Sequence, residues 1–507
     1  MARSGLHALA EAVLLPGFAG TSAPDWVRER IAGGLGGVVL FGRNIVDDEQ
    51  VAALTAQLRG ERDDVVIGID EEGGDVTRLD AATGSTLPGP LALGAAGDLG
   101  LTAEVGTALG ARLAACGVTL DLAPCADLTL TLDDPIIGVR AFGADPYAAA
   151  AHVAAYVRGM QSAGVAACAK HFPGHGASTS DSHFTLPVLP RTPDELDAVE
   201  LVPFRAAIAA GVRSVMTGHL VVPQWGPDPA TVNPTAILDV LRGQLGFTGA
   251  VVTDALEMGA VAGHLGNAAG LADAAVRSLR AGADALCIGG EIADADAVAA
   301  IVERVVAEVH AGTLTEERLA EAAERTRSLG VAPHGGIIAR DGLPRRDDGA
   351  LGMAVARKAL RTSHLPALSP EPLVVDVEVE PTIAAGHVPW GLGPHLVELL
   401  PGARALRVTA AQPGELFDLA RGREVVVTTR DAHRHPAVVD LVAGLVRTAT
   451  AVVHVETGTS GPDLGTLGRI DTFGGSRSSL RAAAEVISGS SVSGLARNTD
   501  PTGLADR

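Results

Sequence analysis

Short β-branched apolar runs alternate with longer Ala-rich stretches through the first 330 residues. Most of these runs are apolar on both faces, which is typical of parallel strands covered on each side. The runs predict strands at 12–18, 36–42, 65–70, 118–128, 165–172, 212–220, 249–256 and 282–289. Helices fit between them at 47–60, 100–115, 144–163, 193–211, 235–245 and 268–280.

This alternation predicts an α/β fold, a (β/α)8 TIM-type barrel over residues 1–330, because eight strand-helix units in about 250 residues suit that fold. A doubly wound sheet is the competing interpretation, since alternation alone does not prove that a sheet closes. The count of eight strands and the lack of a GxGxxG turn after the first strand favour the barrel.

A second α/β pattern follows the barrel. Residues 331–351 are rich in Gly, Pro and charge and are predicted to be a linker. A smaller α/β sandwich domain is predicted at 352–490, with strands at 373–379, 404–410, 424–429 and 451–458 and helices near 352–362, 392–400, 412–421 and 437–448. The polar tail 491–507 is predicted to be disordered.

The charge of the chain excludes some classes of partner. The 507 residues carry 39 Lys and Arg against 60 Asp and Glu, a net charge of -21. Nucleic acid and anionic membrane surfaces should repel such a chain, so neither is expected as a partner, although a locally basic pocket still admits small anions. No apolar stretch is long enough to span a membrane, and the N-terminus lacks the features of a signal peptide.

Cysteine usage indicates the compartment. The four cysteines form no CxxC pair and lie in apolar segments. They are predicted to be buried thiols in a reducing environment, which favours a cytoplasmic location.

Polar residues stand where several predicted strands end. In a (β/α)8 barrel the active site lies at the carboxyl ends of the strands. The strands end in or run into Asp70, Lys170 with His171, His219 and Asp254. Arg78 and Arg140 follow the third and fourth strands. Each has a plain structural alternative, such as a helix cap or a surface charge, but a Lys-His pair in an apolar strand is costly without partners or a ligand.

The stretch KHFPGHGASTSDSH, residues 170–183, admits two chemistries. His171 and His175 have the H-x3-H spacing of a metal site that Asp181 or His183 could complete. That spacing binds metal well on one helix face, whereas a proline and two glycines prevent a helix here. The neighbouring Lys170 cation also disfavours a metal, so no metal or other cofactor is predicted.

The other chemistry is proton transfer. Asp181 lies two residues from His183 and could orient its imidazole and raise its pKa. Asp254, on a different strand, would then be a nucleophile. One group protonates the leaving oxygen while the other attacks carbon, which is the division of labour in retaining glycoside cleavage.

Five motifs of the chain resemble those of a known family. GGVVLFGRNI, GIDEEGGDVTRL, DPIIGVRAFG, KHFPGHGASTSDSH and VVTDALEMGA resemble glycoside hydrolase family 3, most closely its β-N-acetylglucosaminidase branch. The resemblance is strong over residues 10–330 and looser beyond. It implies a retaining exo-enzyme that removes terminal β-linked N-acetylglucosamine through a covalent glycosyl-aspartate.

The resemblance also implies roles for individual residues. Asp254 matches the nucleophile, and His183 matches the acid/base with Asp181 as its partner. The positions that match substrate-binding residues are Asp70, Arg78, Arg140, Lys170 and His171. Three departures from the pattern, Glu71, Asp134 and Ala177, are rim positions and bear on substrate preference more than on mechanism.

Other functions stay open at this level. A histidine acid/base does not repel an anion, so inorganic phosphate could replace water and make the enzyme a β-N-acetylglucosaminide phosphorylase. A zinc-dependent hydrolase and a non-catalytic sugar-binding protein are further alternatives. Aromatic residues make up only 3% of the chain, which favours a short pocket for small glycosides such as cell-wall recycling fragments.

Overall fold

The computed structural model describes residues 5–178, 186–258, 268–289, 293–331 and 348–489. They form two compact units that interleave along the chain. The first unit comprises 1–71, 102–127 and 150–346, and the second comprises 72–101, 128–149 and 347–507. We describe each unit by itself.

The first unit is built on parallel strands. Six of them form one sheet in the order β2-β3-β4-β5-β6-β7, and β1 pairs with β8. Their bounds are β1 Leu14–Pro16, β2 Gly37–Leu40, β3 Val66–Ile69, β4 Leu120–Asp121, β5 Ala166–Phe172, β6 Ser214–Thr217, β7 Ala250–Thr253 and β8 Leu286–Ile288. A parallel bridge between Val252 and Ala285 links the last two strands. The α/β class is therefore confirmed, with a parallel sheet that forms at least half a barrel.

Helices connect these strands, as the alternation predicts. Those from the N-terminus to residue 328 are α1 Gly5–Ala12, α2 Asp25–Gly33, α3 Asp48–Glu61, α4 Pro90–Ala96, α5 Leu99–Ala115, α6 Pro146–Ser162, α7 Pro193–Ala198, α8 Leu201–Ala209, α9 Thr235–Gln244 with π-type hydrogen bonds, α10 Ala268–Ala281, α11 Ala295–His310 and α12 Glu316–Ser328. The single helix predicted at 193–211 is two helices, because Val199 leaves the helical region with φ -125° and ψ -78°.

One apolar cluster collects side chains from all eight strands of the first unit. Its members are Leu15, Val39, Val66, Leu120, Leu122, Ala166, Cys168, Met216, Ala250, Val252, Ala285, Cys287 and Leu329. Because side chains alternate between the two faces of a strand, the strand residues of this cluster lie on one face of their strands.

The second unit contains a six-stranded sheet in the order β11-β10-β12-β13-β14-β9. The strands are β9 Arg361–Ser363, β10 Leu373–Glu378, β11 Arg404–Thr409, β12 Glu424–Thr429, β13 Ala451–Glu456 and β14 Gly468–Asp471. All neighbours are parallel except β14 with β9. The later helices are α13 Asp348–Ala359, α14 Gly393–Leu399, α15 Leu416–Ala420, α16 Pro436–Thr448 and α17 Arg477–Ile487.

Most of the predicted linker and the whole predicted tail lie outside the described residues. The predicted domain boundaries stay predictions. Within the described ranges, we find no helix with the length and apolar character needed to cross a bilayer.

Candidate active site

A buried ion pair joins two strands of the first unit. Asp70 directly follows β3, and Lys170 lies near the end of β5, with β4 between them. The Lys170 Nζ is 2.6 Å from the Asp70 Oδ1. Lys170 is only 2% exposed and the Asp70 side chain 18%, so the ion pair is largely shielded from water. Parallel pairing thus brings two predicted substrate-binding residues together, as we expected from the strand ends.

Asp121 lies beneath this pair, at the end of β4, and is fully buried. Its Oδ1 accepts a hydrogen bond of 2.9 Å from the Glu71 N–H. Burial raises the pKa of Asp121 well above its usual value, and the Glu71 and Asp70 carboxylates raise it further, against the lowering effect of that hydrogen bond. Sequence reasoning missed Asp121 because it lies inside an apolar run.

Asp127 holds the base of the loop that follows β5. Its Oδ2 lies 2.7 Å from the His171 Nδ1, and its Oδ1 accepts a hydrogen bond of 2.7 Å from the His175 N–H. Burial alone would raise the pKa of Asp127, but the two histidines lower it to about 2. Asp127 is therefore ionised, and it organises His171, a predicted site residue, although the sequence analysis did not single it out.

The same place offers three ligand atoms to a metal. One atom each of Cys125, Asp127 and His171 lie within 4.8 Å of one another. They already bond to each other, since Asp127 Oδ2 takes the His171 contact and accepts from the Cys125 Sγ at 3.2 Å. A structural zinc site normally has four ligands that are not engaged in this way. The arrangement therefore fits a hydrogen-bonded cluster better than a metal centre.

Asp254 follows β7, half-buried, and is fixed by its backbone. Its N–H donates to the Thr217 carbonyl on β6 at 3.2 Å, and its Oδ1 accepts from the Ala255 N–H at 2.8 Å. His219 lies alongside and is buried. Its Nδ1 is 2.8 Å from the Thr231 Oγ1 and its Nε2 2.9 Å from the Ala255 carbonyl. His219 therefore supports the turn that follows Asp254, which is a structural role rather than a substrate-binding one.

Cys287 shows that these charges converge. Burial raises the pKa of this thiol well above its usual value, and the Glu257, Asp254 and Asp70 carboxylates raise it further, whereas the Lys170 ammonium lowers it. Charged groups at the ends of β3, β5 and β7 thus all act on this one buried thiol. Glu257 was not predicted; its Oε2 accepts from the Gly289 N–H at 3.1 Å.

The two predicted arginines belong to the second unit. The Arg140 guanidinium meets the Glu72 carboxylate through two hydrogen bonds, Nε to Oε2 at 3.0 Å and Nη2 to Oε1 at 2.7 Å, and both side chains are buried. Arg78 donates from Nη2 to the Ala384 carbonyl at 2.9 Å. Asp181 and His183 lie outside the described residues.

The histidine-rich stretch 428–436 of the second unit is held by hydrogen bonds to its own backbone and side chains. The Glu456 carboxylate accepts hydrogen bonds from the Asp431 and Ala432 N–H groups, at 2.8 and 3.1 Å. His433 Nε2 is 2.9 Å from the Leu132 carbonyl oxygen and donates to it. The stretch is a structured part of its unit.

Comparison with known proteins identifies relatives over most of the chain. Residues 23–329 match the family model "Glycosyl hydrolase family 3 N terminal domain". A protein named β-hexosaminidase from Stenotrophomonas maltophilia (strain K279a) is 40% identical over 287 residues, which are 54% of this chain and 83% of that protein.

Solved structures extend the likeness beyond that region. A glycoside hydrolase family 3 β-N-acetylglucosaminidase from Paenibacillus sp. str. FPU-7 superimposes with a TM-score of 0.85 at 30% identity, covering 97% of this chain and 98% of that one. A β-N-acetylhexosaminidase from Beutenbergia cavernae DSM 12333 gives a TM-score of 0.58 at 31% identity, covering 65% of this chain and 99% of that one.

Proposed function

The chain belongs to glycosyl hydrolase family 3, and from that premise we propose that it is a retaining, exo-acting β-N-acetylglucosaminidase. It is a glycoside hydrolase whose relatives are named β-hexosaminidases. The observation that carries the finer proposal is that Asp70, Lys170 and Asp254 lie at the carboxyl ends of three strands of one parallel sheet, and therefore at the same edge of it. Retaining cleavage needs a carboxylate nucleophile beside the bound sugar.

In the proposed first step, an Asp254 oxygen attacks the anomeric carbon. The bond from that carbon to the leaving oxygen breaks, and the His183 imidazolium gives its proton to that oxygen. Asp181 would hold the imidazole in place and favour its charged form. The Ala255 N–H on Asp254 Oδ1 supports this role, because it fixes the carboxylate orientation.

In the second step, water attacks the same carbon and the ester to Asp254 breaks. His183, now neutral, takes the proton from water. Asp70 accepts hydrogen bonds from sugar hydroxyls while Lys170 and His171 complete the pocket, and Asp70 and Lys170 hold each other in place through their ion pair. Arg78 and Arg140 are proposed to bind substrate, and the Glu72 pair would fix the Arg140 guanidinium.

The proposal extends to fold and setting. We infer that the eight strands close into a (β/α)8 barrel within residues 1–330, with 352–490 as a separate sandwich, because one apolar cluster is shared by all eight strands. The scarcity of aromatic platforms supports small glycosides, such as cell-wall recycling fragments, as substrates. Four buried free thiols support a cytoplasmic location.

The acceptor is tested by the product. The protein is incubated with p-nitrophenyl β-N-acetylglucosaminide, with and without phosphate, and the sugar product is identified. We expect free N-acetylglucosamine at the same rate in both. If N-acetylglucosamine 1-phosphate appears and the rate rises with phosphate, the enzyme is a phosphorylase and water is not the preferred acceptor.

The nucleophile is tested by rescue. Asp254→Ala should abolish turnover, and added azide should restore release of p-nitrophenol with an α-glycosyl azide as product, because azide attacks from the face that Asp254 vacates. Asp239→Ala is a matched control, since Asp239 is an exposed carboxylate of the same unit. Turnover by Asp254→Ala at the level of the control would remove the covalent mechanism.

A further inference from the structure

The Asp127 carboxylate takes part in several hydrogen bonds. It accepts from the His171 N–H at 3.1 Å, from the His175 N–H at 2.7 Å and from the Cys125 thiol at 3.2 Å, and it contacts His171 Nδ1 at 2.7 Å. It is 1% exposed. No mechanism step proposed above uses Asp127, yet it touches both histidines at the start of the loop that carries the predicted acid/base.

These contacts determine where the proton of His171 lies. A carboxylate that is ionised has no hydrogen to give, so the hydrogen between Asp127 Oδ2 and His171 Nδ1 must belong to the imidazole. The histidines hold the pKa of Asp127 at about 2 against the effect of burial, so this assignment applies across the neutral range.

The other ring nitrogen, Nε2, has the opposite hydrogen-bonding role. In a neutral imidazole with hydrogen on Nδ1, Nε2 carries a lone pair and can only accept. No described residue bonds to His171 Nε2, and the side chain keeps 10% exposure in an otherwise buried setting. Because His171 directly follows Lys170 in the chain, this lone pair is suited to a hydroxyl of a sugar bound beside the Asp70–Lys170 ion pair.

We propose that Asp127 is a positioning residue that fixes His171 as the Nδ1–H tautomer, so that Nε2 accepts a hydrogen bond from one hydroxyl of the bound sugar. The substrate half of this statement rests on the proposed function, whereas the tautomer does not. Lys170 can only donate to the sugar, whereas the neutral Nδ1–H tautomer of His171 accepts at Nε2, so the two neighbours bind opposite ends of hydroxyl groups.

An isosteric substitution tests the tautomer of His171 separately from its contact with the sugar. In Asp127→Asn, one of the two carboxylate oxygens becomes an NH2 group. This NH2 group cannot face the His175 backbone N–H, because a backbone N–H can only donate and two donors would then face each other. The NH2 must therefore face His171 Nδ1, which can become an acceptor by moving its hydrogen to Nε2. A buried Asp-to-Asn change is known to reverse a histidine tautomer in this way.

The first arm is spectroscopic and uses the free protein at pH 8. Ring nitrogens of 15N-histidine-labelled protein are assigned to His171 by their loss in His171→Gln. We expect protonated Nδ1 and unprotonated Nε2 in the wild type, and the reverse in Asp127→Asn. Hydrogen on Nε2 in the wild type would overturn the proposal, and this result does not depend on whether the variant folds or on any activity.

The second arm is kinetic and uses monodeoxy derivatives of p-nitrophenyl β-N-acetylglucosaminide. With the full substrate, Asp127→Asn should lower kcat/KM by about 10- to 100-fold, the range for a lost hydrogen bond that leaves a buried polar group unpaired. With the one derivative that lacks the hydroxyl bound by His171, Asp127→Asn should lower kcat/KM no more than the control variant Asp376→Asn does. An equal loss with every derivative would make Asp127 merely structural.

The control is Asp376→Asn in the other unit. Asp376 is also buried and its two oxygens accept from the Leu392 and Gly393 N–H groups. The substitution creates the same kind of amide conflict far from the proposed chemistry in sequence. It should lower stability without changing the His171 ring signals or kcat/KM, so a shift of the His171 signals in this variant too would count against a specific role for Asp127.

Discussion

Asp127 in the first unit and Glu456 in the second are two carboxylates with nearly the same burial and opposite electrostatics. Each is about 1% exposed, and each is contacted by four donors. Yet the pKa of Asp127 is lowered to about 2, and burial raises the pKa of Glu456 to about 7. Burial therefore does not decide the protonation state of either group.

The charged neighbours decide it. Asp127 faces two imidazoles, which favour its ionised form, and they outweigh desolvation. Glu456 faces the Asp431 carboxylate, which adds to desolvation, and hydrogen bonds from Gly458 and Ala432 only partly offset both. An ionised carboxylate is useful where a histidine must be oriented, whereas Glu456 holds a loop in place. The comparison predicts that Asp127 matters for both activity and stability, and Glu456 for stability alone.

The largest effect should come from Asp127→Ala. It leaves the donors of a buried, charged cluster unpaired, which costs about 3–5 kcal/mol of the free energy of unfolding, and it should reduce kcat/KM by at least about 100-fold because His171 loses its orientation. Glu456→Ala should lower stability and leave kcat/KM close to the wild-type value. Denaturant titration and steady-state kinetics of both variants check this, and a strong loss of kcat/KM in Glu456→Ala would break the comparison.

The second largest effect is the pH dependence that Glu456 imparts. Its pKa is about 7 in the folded protein and 4.5 ordinarily, so the folded state holds the proton more tightly. Its stabilising contribution is fully present below pH 4.5 and is lost as the pH rises to about 7, a change of about 3 kcal/mol. Asp431, His454 and Arg469 are ionisable groups close to it.

This is measured as the difference in unfolding free energy between the wild type and Glu456→Gln. We expect the wild type to lose stability relative to the variant between pH 4.5 and 7. A constant difference across that window would show that Glu456 titrates normally, and the contrast with Asp127 would then rest on its activity alone.

Asp127 should produce the opposite pH dependence, somewhat smaller. Its pKa falls from an ordinary 3.8 to about 2 in the folded protein, so its contribution is present above pH 3.8 and is lost as the pH falls through 2. The change is about 2 kcal/mol. Relative to Asp127→Asn, the wild type should lose stability only in that acid range. A loss at neutral pH instead would reverse the assignment of the ionised form.

Sequence reasoning found the residues that end apolar strands. Asp70, Lys170 and Asp254 stand out because charge follows directly on an apolar run, and parallel pairing then brings strand ends together. Asp121 and Asp127 were hidden because the run 118–128 looks like one strand, whereas the structure has β4 only at Leu120–Asp121. The available signal was energetic: two carboxylates in an apolar run are costly unless each finds partners or a proton.

The second unit was harder to predict for a different reason. Strands β10, β12 and β13 are continuous apolar runs and were predicted within about two residues, but β14 is the short, mixed segment Gly468–Asp471 and was missed together with α17. The order β11-β10-β12 requires a reversal of direction along the sheet that alternation cannot encode. Glu456 was missed because its environment comes from the Asp431 loop, which no local pattern places beside it.

The smallest effect sets the scale for the others. Arg421 and Asp418 form an ion pair of 3.4 Å on the surface of the second unit, with side chains 73% and 81% exposed. Water screens this pair almost completely, so Arg421→Gln should change the free energy of unfolding by less than about 0.5 kcal/mol at any pH. Thermal melts at low and high salt test this. A larger loss that does not depend on salt would mean that an exposed charge acts as strongly as a buried one. In that case charged neighbours acting in buried surroundings would no longer explain the difference between Asp127 and Glu456.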